Sequence, residues 1–182
     1  MANASILDAP YLDDLPSRDE LIRLIYQGAL DPVPFQAFLR TLAERIGCMN
    51  AGLILRLSRQ GTPPIAIWGR KSGLSDDEAR RIHEVHASVG HLDPLRNVLA
   101  RKGAIQTLDE VMPRAELEQN RFYREILAPY GFYRMLGMYV QEPGGWEGNI
   151  GVVNGAGSPD FGERERQLLV DLRPHIEQAL QI

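Results

Sequence analysis

This sequence is poor in the residues that most chemistry needs. It has one cysteine, Cys48, and four histidines in 182 residues. A single cysteine excludes an intramolecular disulfide and a cysteine-built zinc cage. Cys48 ends an apolar helical stretch and reads as a small buried hydrophobe. Positive charge is not in excess either: 20 Lys and Arg stand against 24 Asp and Glu, a net charge of −4 with a pI near 5.6. A free-standing nucleic-acid binder is expected to show a basic surplus or stripe, whereas the arginines here are interleaved with Glu and Asp. No apolar run approaches the ~20 residues that span a bilayer. The opening MANASILDAPYLDDLPS lacks the basic start and apolar stretch of a signal peptide. The expected location is cytoplasmic, with no membrane partner.

The familiar catalytic signatures are missing as well. There is no G-x-S-x-G, no P-loop, no H-E-x-x-H and no EF-hand loop. Gly155, Gly157 and Gly162 in NGAGSPDFG miss the G-x-G-x-x-G spacing and read as a loop between a strand and a helix. His83 and His86 lie three apart, with His91 and Asp93 close behind, but this spacing matches no recognised metal site. His86 lies on the apolar face of its helix and is the histidine best placed to touch a ligand. His175 follows Pro174 inside the last helix and reads as structural. No catalytic residue, metal site or cofactor is expected.

What remains is an ordinary globular composition, 44% hydrophobic and 24% charged. A chain of this length suggests one domain and can bury about 70% of its unfolded surface. Residues 1–16 are acidic and irregular, which predicts a flexible arm ahead of a domain over 17–182. Ser17 and Glu20 have capping-box spacing, and Leu21, Leu24, Ile25 and Gly28 then share a helical face. DPVP at 31–34 breaks that helix. Phe35, Phe38, Leu39, Leu42 and Ile46 form a second stripe, which Gly47 is placed to end. NAGLILRLS (50–58) and IAIWGR (65–70) read as a hairpin around QGTPP. Ser75 and Glu78 make another capping box ahead of Ala79, Ile82, His86 and Val89. Asp93-Pro94 opens a helix to about Lys102, AIQTL (104–108) is a short strand, and 115–128 reads as one helix ended by Pro129 and Gly131. Two long strands, 132–141 and 146–154, meet at EPGG. The closing helix begins near Gly162.

Hairpins imply an antiparallel sheet. With helices at both chain ends and between the second and third strands, the fold class is α+β: an antiparallel sheet of five or six strands flanked by helices. The N- and C-terminal helices cover one face. The helical insertion walls a cavity on the other. Trp68, Phe122, Tyr123, Tyr133, Tyr139 and Trp146 fall on strands or on that insertion, where they can form a core or line an apolar pocket; Met135 and Met138 share this ambiguity. Gly52, Gly137, Gly148 and Gly151 thin the sheet and make room for a ligand or a closely packed helix. The candidate ligand-binding set is Trp68, His86, Phe122, Tyr123, Tyr133 and Met135, facing the helices spanning about 75–128.

Four stretches together resemble the GAF-like N-terminal sensory domain of LuxR-type transcriptional regulators. LIRLIYQGALDPVPFQAFLRTLAERIGC is similar to the family's first two helices and the Asp-Pro break between them. HLDPLRNVLA is similar to its mid-domain Asp-Pro helix. ELEQNRFYREILAPYGFYRMLG is similar to its aromatic helix, Pro-x-Gly stop and following strand. FGERERQLLVDLRPHIEQAL is similar to its closing helix. Gly162 replaces the usual Ser or Thr N-cap, and Asn154 stands where arginine is commoner. The resemblance implies a non-catalytic sensor that binds a small-molecule effector. It further implies signalling through the closing helix to a helix-turn-helix DNA-binding domain that this chain does not contain. Two other readings remain open: a stand-alone interaction module without ligand, and a small GAF-fold enzyme. Known GAF-fold methionine sulfoxide reductases rely on several cysteines, so the single one here argues against the enzyme.

The closing helix is apolar almost to its end. Leu169, Leu172, Ile176, Ala179 and Leu180 are therefore expected to form a homodimer interface, joined by residues 17–28, with a kink at Pro174. A two-fold dimer would set two DNA-binding modules side by side on a palindromic operator.

Overall fold

The computed structural model describes residues 16–29, 31–57, 64–70, 75–96, 98 and 105–181. The expected arm over 1–16, apart from Pro16, lies outside the described residues, as do most of the QGTPP turn and the end of the helix expected to reach Lys102.

Two helices open the fold. In α1 (Arg18–Gly28), Ser17 Oγ accepts from the Glu20 N–H at 3.1 Å. In α2 (Pro32–Ile46), Asp31 Oδ1 accepts from the Val33 N–H at 2.9 Å. The same Asp-Pro pair that ends one helix therefore starts the next, since proline fits the first helical turn. Gly47 closes α2 with φ of 77°, a left-handed cap that suits glycine. Strands β1 (Asn50–Leu57) and β2 (Ile65–Arg70) form the expected hairpin. Helix α3 (Asp76–Val89) starts at a complete Ser75–Glu78 capping box. A helical turn over 94–96 is capped by Asp93, whose Oδ1 accepts from the Leu95 N–H at 2.9 Å. Then come β3 (Ile105–Thr107), α4 (Leu108–Val111), α5 (Arg114–Leu117), β4 (Arg134–Gln141), β5 (Trp146–Asn154) and α6 (Glu163–Ala179).

The five strands make one antiparallel sheet in the order β2-β1-β5-β4-β3. Its two faces carry two separate cores. On the first face, Leu53, Leu136, Met138, Val140, Ile150 and Val152 pack against α1, α2 and α6. The terminal helices thus cover one face, as expected. On the second face, Trp68, Met135, Tyr139 and Val153 meet the insertion between β2 and β4, through Ile82, Leu95, Leu117, Phe122 and Ile126.

Two sequence expectations are corrected. The helix expected over 115–128 is broken: α5 ends at Leu117, and a π-helical turn, Tyr123–Leu127, follows. Asn120 makes the break, because its side chain takes the Phe122 N–H at 2.8 Å and donates to the Leu92 carbonyl at 3.3 Å. Short amides compete with the helix backbone in this way. The second correction concerns α6. Leu169, Leu172 and Ile176 are fully buried and Ala179 nearly so, inside the chain's own first core, with Leu180 packed against it. The stripe is occupied by the sheet and by α1, so it is not a free dimer surface. Tyr26 pins the contact by donating to Gln178 Oε1 at 2.8 Å and pairing with His175 Nδ1 at 3.1 Å, which gives His175 a structural role.

The placement of α6 gives a direct test. Leu172→Ala should cost about 2–5 kcal/mol, the usual loss for emptying a closed core site. Val170→Glu, at a side chain 49% exposed, should change stability by less than about 0.5 kcal/mol. Urea unfolding of both variants measures the difference.

Candidate functional site

The second sheet face contains an unusual line of small residues. Gly52 pairs with Gly151, and Gly151 with Gly137, so three glycines stand abreast on β1, β5 and β4. Trp68 pairs with Gly52 at one end of the line and Gln106 with Gly137 at the other. Directly paired residues share a face, so the sheet has a trough there with no side chains of its own. Two neighbours lean over it. A Cβ on Gly52 would stand 2.5 Å from the Trp68 ring, and one on Gly151 would stand 2.6 Å from Met135 Cε. Gly148, also singled out from the sequence, faces the other core, beside Leu55 and Val140.

Between this trough and the insertion lies a cavity of about 50 Å³. That is room for a few water molecules, since one needs about 10–15 Å³ of such space. Its walls are mostly apolar: Ile54, Ile82, Phe122, Ile126 and Val153. Of the six residues expected from the sequence, Trp68, His86, Phe122 and Met135 are brought together on this cavity. Tyr123 is buried in the second core beneath the Arg114 guanidinium, 5.7 Å from its ring centroid, and does not line the cavity. Tyr133 lies outside, on a neighbouring groove.

Three polar side chains that sequence reasoning missed line it too: Asn50, Asp93 and Asn149. Asp93 had a signal, the Asp-Pro cap, but that pointed to structure alone. Asn149 had one as well, as a polar residue between apolar strand neighbours. Among the described residues, Trp68 Nε1 and Asn149 Oδ1 are buried without a hydrogen-bond partner, as is Gln106 Oε1 at the far end of the glycine line.

Burial controls the charge state here. His86 sits edge-on to Phe122 with ring centroids 6.1 Å apart. Desolvation, helped by Arg56, His83 and Arg96, lowers its pKa to about 4. Desolvation raises the Asp93 carboxyl to about 6, against the Leu95 N–H and the charges of Arg56 and Arg96. At neutral pH the cavity therefore holds a neutral imidazole and a buried carboxylate. Among the described residues no group of three or more His, Cys, Asp and Glu side chains is arranged to hold a metal ion.

Two predictions follow from this geometry. Gly52→Ala should cost about 1–3 kcal/mol in urea unfolding, because its methyl meets a rigid indole. Gly151→Ala should cost clearly less, because only the flexible end of Met135 must move. The second concerns pH. His86 has a folded pKa below its ordinary 6.5, so its contribution is present above pH 6.5 and is lost as pH falls toward 4. Asp93 has a folded pKa above its ordinary 3.8, so its contribution is present below pH 3.8 and is lost as pH rises through 6. The two slopes oppose each other between them. Asp93→Asn keeps a capping oxygen and should leave the His86 slope exposed. Stability relative to the parent should then fall as pH drops from 6 to 3.8, by up to about 1.4 kcal/mol per unit, because only the parent gains the Asp93 contribution there. His86→Gln should show the opposite slope.

No family model and no curated protein sequence matches this chain. Solved structures do. The VqsR LBD domain from Pseudomonas aeruginosa superposes with a TM-score of 0.63 at 16% identity, over 90% of this chain and 93% of that one. CepR2 from Burkholderia cenocepacia, an N-acylhomoserine lactone dependent LuxR family factor, gives 0.54 at 11% identity over 90% and 93%. SdiA in complex with octanoyl-rac-glycerol gives 0.54 at 14% identity; 93% of this chain matches, spanning 61% of the SdiA chain. GAF domains also match, among them one from an Acinetobacter phosphoenolpyruvate-protein phosphotransferase. Among the described residues there is no second, DNA-binding module, and no helix is long and apolar enough to cross a membrane. The structural neighbours of this chain are LuxR-family ligand-binding domains and GAF domains, and it has the α+β fold they share.

Proposed function

We propose that this chain is the sensing domain of a LuxR-type transcriptional regulator. Its small-molecule effector lies between the second sheet face and the insertion, and α6 carries the response toward a DNA-binding module. One observation carries the reading: the apolar cavity over Gly52 and Gly151, lined by Trp68 and Asn149, whose buried polar atoms have no partner. Protein interiors almost always pair such atoms, and leaving one unpaired costs about 1–3 kcal/mol. An effector that offers an acceptor to Trp68 and a donor to Asn149 relieves both. Catalysis forms no part of this reading. The setting it implies is cytoplasmic, with DNA reached only through another module. The homodimer expected of such a regulator needs a surface other than the buried stripe of α6.

The size of the cavity sets a condition. A typical small-molecule site occupies about 300–1,000 Å³, so Trp68 or Met135 must move away from the trough for an effector to enter. Binding then shifts the domain toward an open arrangement to the extent that the effector prefers it. The same filling of the trough by Trp68 and Met135 favours the second reading, an interaction module whose cavity is closed by its own side chains.

Native mass spectrometry of the purified protein separates the two. Under the sensing reading, a non-covalent small-molecule adduct accompanies the folded chain and is released on denaturation. Trp68→Ala, with an unchanged far-ultraviolet circular dichroism spectrum, should lose it. Bare protein mass in the parent, also after exposure to a cell extract, would leave the interaction module as the surviving reading.

A further inference from the structure

An open groove of about 450 Å³ lies beside the buried cavity, bounded by β3, α4, the start of β4 and the N-terminal end of α6. Three arginines enter it from three separate elements: Arg114, Arg134 and Arg166. Each is anchored on a backbone carbonyl. Arg114 Nη1 donates to the Tyr133 oxygen at 3.0 Å, Arg134 Nη1 to Ala156 at 3.5 Å, and Arg166 Nη1 to Ile105 at 2.8 Å. The Tyr133 ring supports two of them, with guanidinium carbons 4.0 Å and 5.3 Å from its centroid.

Each arginine also meets one carboxylate: Asp109 for Arg114, Asp160 for Arg134 and Glu110 for Arg166. The pairing is lopsided. The arginine side chains are 21–22% exposed, whereas Asp109, Glu110 and Asp160 are 44%, 46% and 82% exposed. Ion pairs with solvent-exposed partners are worth only about 0–1 kcal/mol, so Asp109 and Asp160 are replaceable, whereas Glu110 is also held by the Thr107 N–H at 2.7 Å and hydroxyl at 3.0 Å. A guanidinium has five N–H donors, and each of these makes two hydrogen bonds here. Donors therefore remain for an incoming anion, which arginine can hold bidentately.

Met135 connects this groove to the cavity, for it lines both. An unbranched side chain with three rotatable bonds adapts readily, and its end rests on Gly151.

We propose that the effector is an amphipathic anion. Its carboxylate or phosphate head is held by Arg114, Arg134 and Arg166, and its apolar body passes Met135 to lie over Gly151 and Gly52. This rests on reading the cavity as the ligand site. The head would bear directly on the output helix, because Arg166 belongs to α6 and its bonds to Ile105 and Glu110 tie that helix to the insertion.

Calorimetric titration of the whole chain with sodium octanoate, neutral octanamide and inorganic phosphate tests the proposal. Octanoate should bind at least about tenfold more tightly than octanamide, since a charge-assisted bidentate contact is lost with the carboxylate. Arg134→Gln should weaken octanoate and leave octanamide unchanged. Asp160→Asn should tighten octanoate by removing a competing carboxylate. Equal affinity for octanoate and octanamide would overturn the arginine head site while leaving the cavity reading intact. Phosphate binding as tightly as octanoate would overturn the link across Met135. Absence of octanoate binding from a protein that still carries a small-molecule adduct would overturn the anionic class alone. Absence of both would remove the cavity reading as well.

Discussion

Gly52, Gly151 and Gly137 stand side by side across the middle of the sheet, and much of this domain is a response to them. A sheet face normally carries its own layer of side chains, on which helices pack directly. Here three adjacent positions supply none, so other residues must fill the space. Trp68 and Met135 do so from one position away. The insertion between β2 and β4 closes over this filling with Ile82, Phe122 and Ile126. The first face has no such gap and packs continuously against α1, α2 and α6. One sheet thus separates a solid core from an adjustable one.

The adjustable side also holds the buried polar groups. Asp93 caps a helical turn and remains a carboxylate at neutral pH, while His86, buried nearby, stays neutral. Both face Arg56 and Arg96 electrostatically. Such groups are tolerated in a core only when the rest of the structure holds them there. With the unpaired atoms of Trp68 and Asn149, they concentrate the unfavourable polar burial of the second core around one small cavity.

Helix α6 is joined to both sides. Its stripe is part of the solid core, and Tyr26 ties it to α1 through His175 and Gln178. At its other end Arg166 reaches the Ile105 carbonyl and Glu110, which belong to the far edge of the insertion. A change in how the insertion sits on the glycine trough therefore has a direct contact through which to reach α6. That contact is a two-residue polar link, easily remade, while the packing of α6 on the sheet is not.

Much of this was readable from local pattern. Capping boxes at Ser75 and the Asp31-Pro32 pair set helix starts, alternation in 50–57 and 134–141 set strands, and the three helical stripes named the first core. These signals are legible because they depend on neighbours within a few residues. The same locality explains the errors. Asn120 breaks a helix by taking the Phe122 N–H, its amide also bonded to Leu92, twenty-eight residues away, and no helical pattern announces that. The apolar stripe of α6 showed that the helix buries one side, but not whether a partner copy or its own sheet does so, since both need the same side chains. Four of the six residues proposed to line the cavity lie on it, yet Tyr123 and Tyr133 do not, and Asn149 was not named. The alignment of three glycines from three strands, and the place of Met135 on both groove and cavity, were decided only by strand register and helix docking. The sequence by itself determined which segments are helices and strands and which of their faces are apolar, because those properties arise from contacts close along the chain. The tertiary structure alone decided which faces meet, because that depends on contacts between residues the sequence holds far apart.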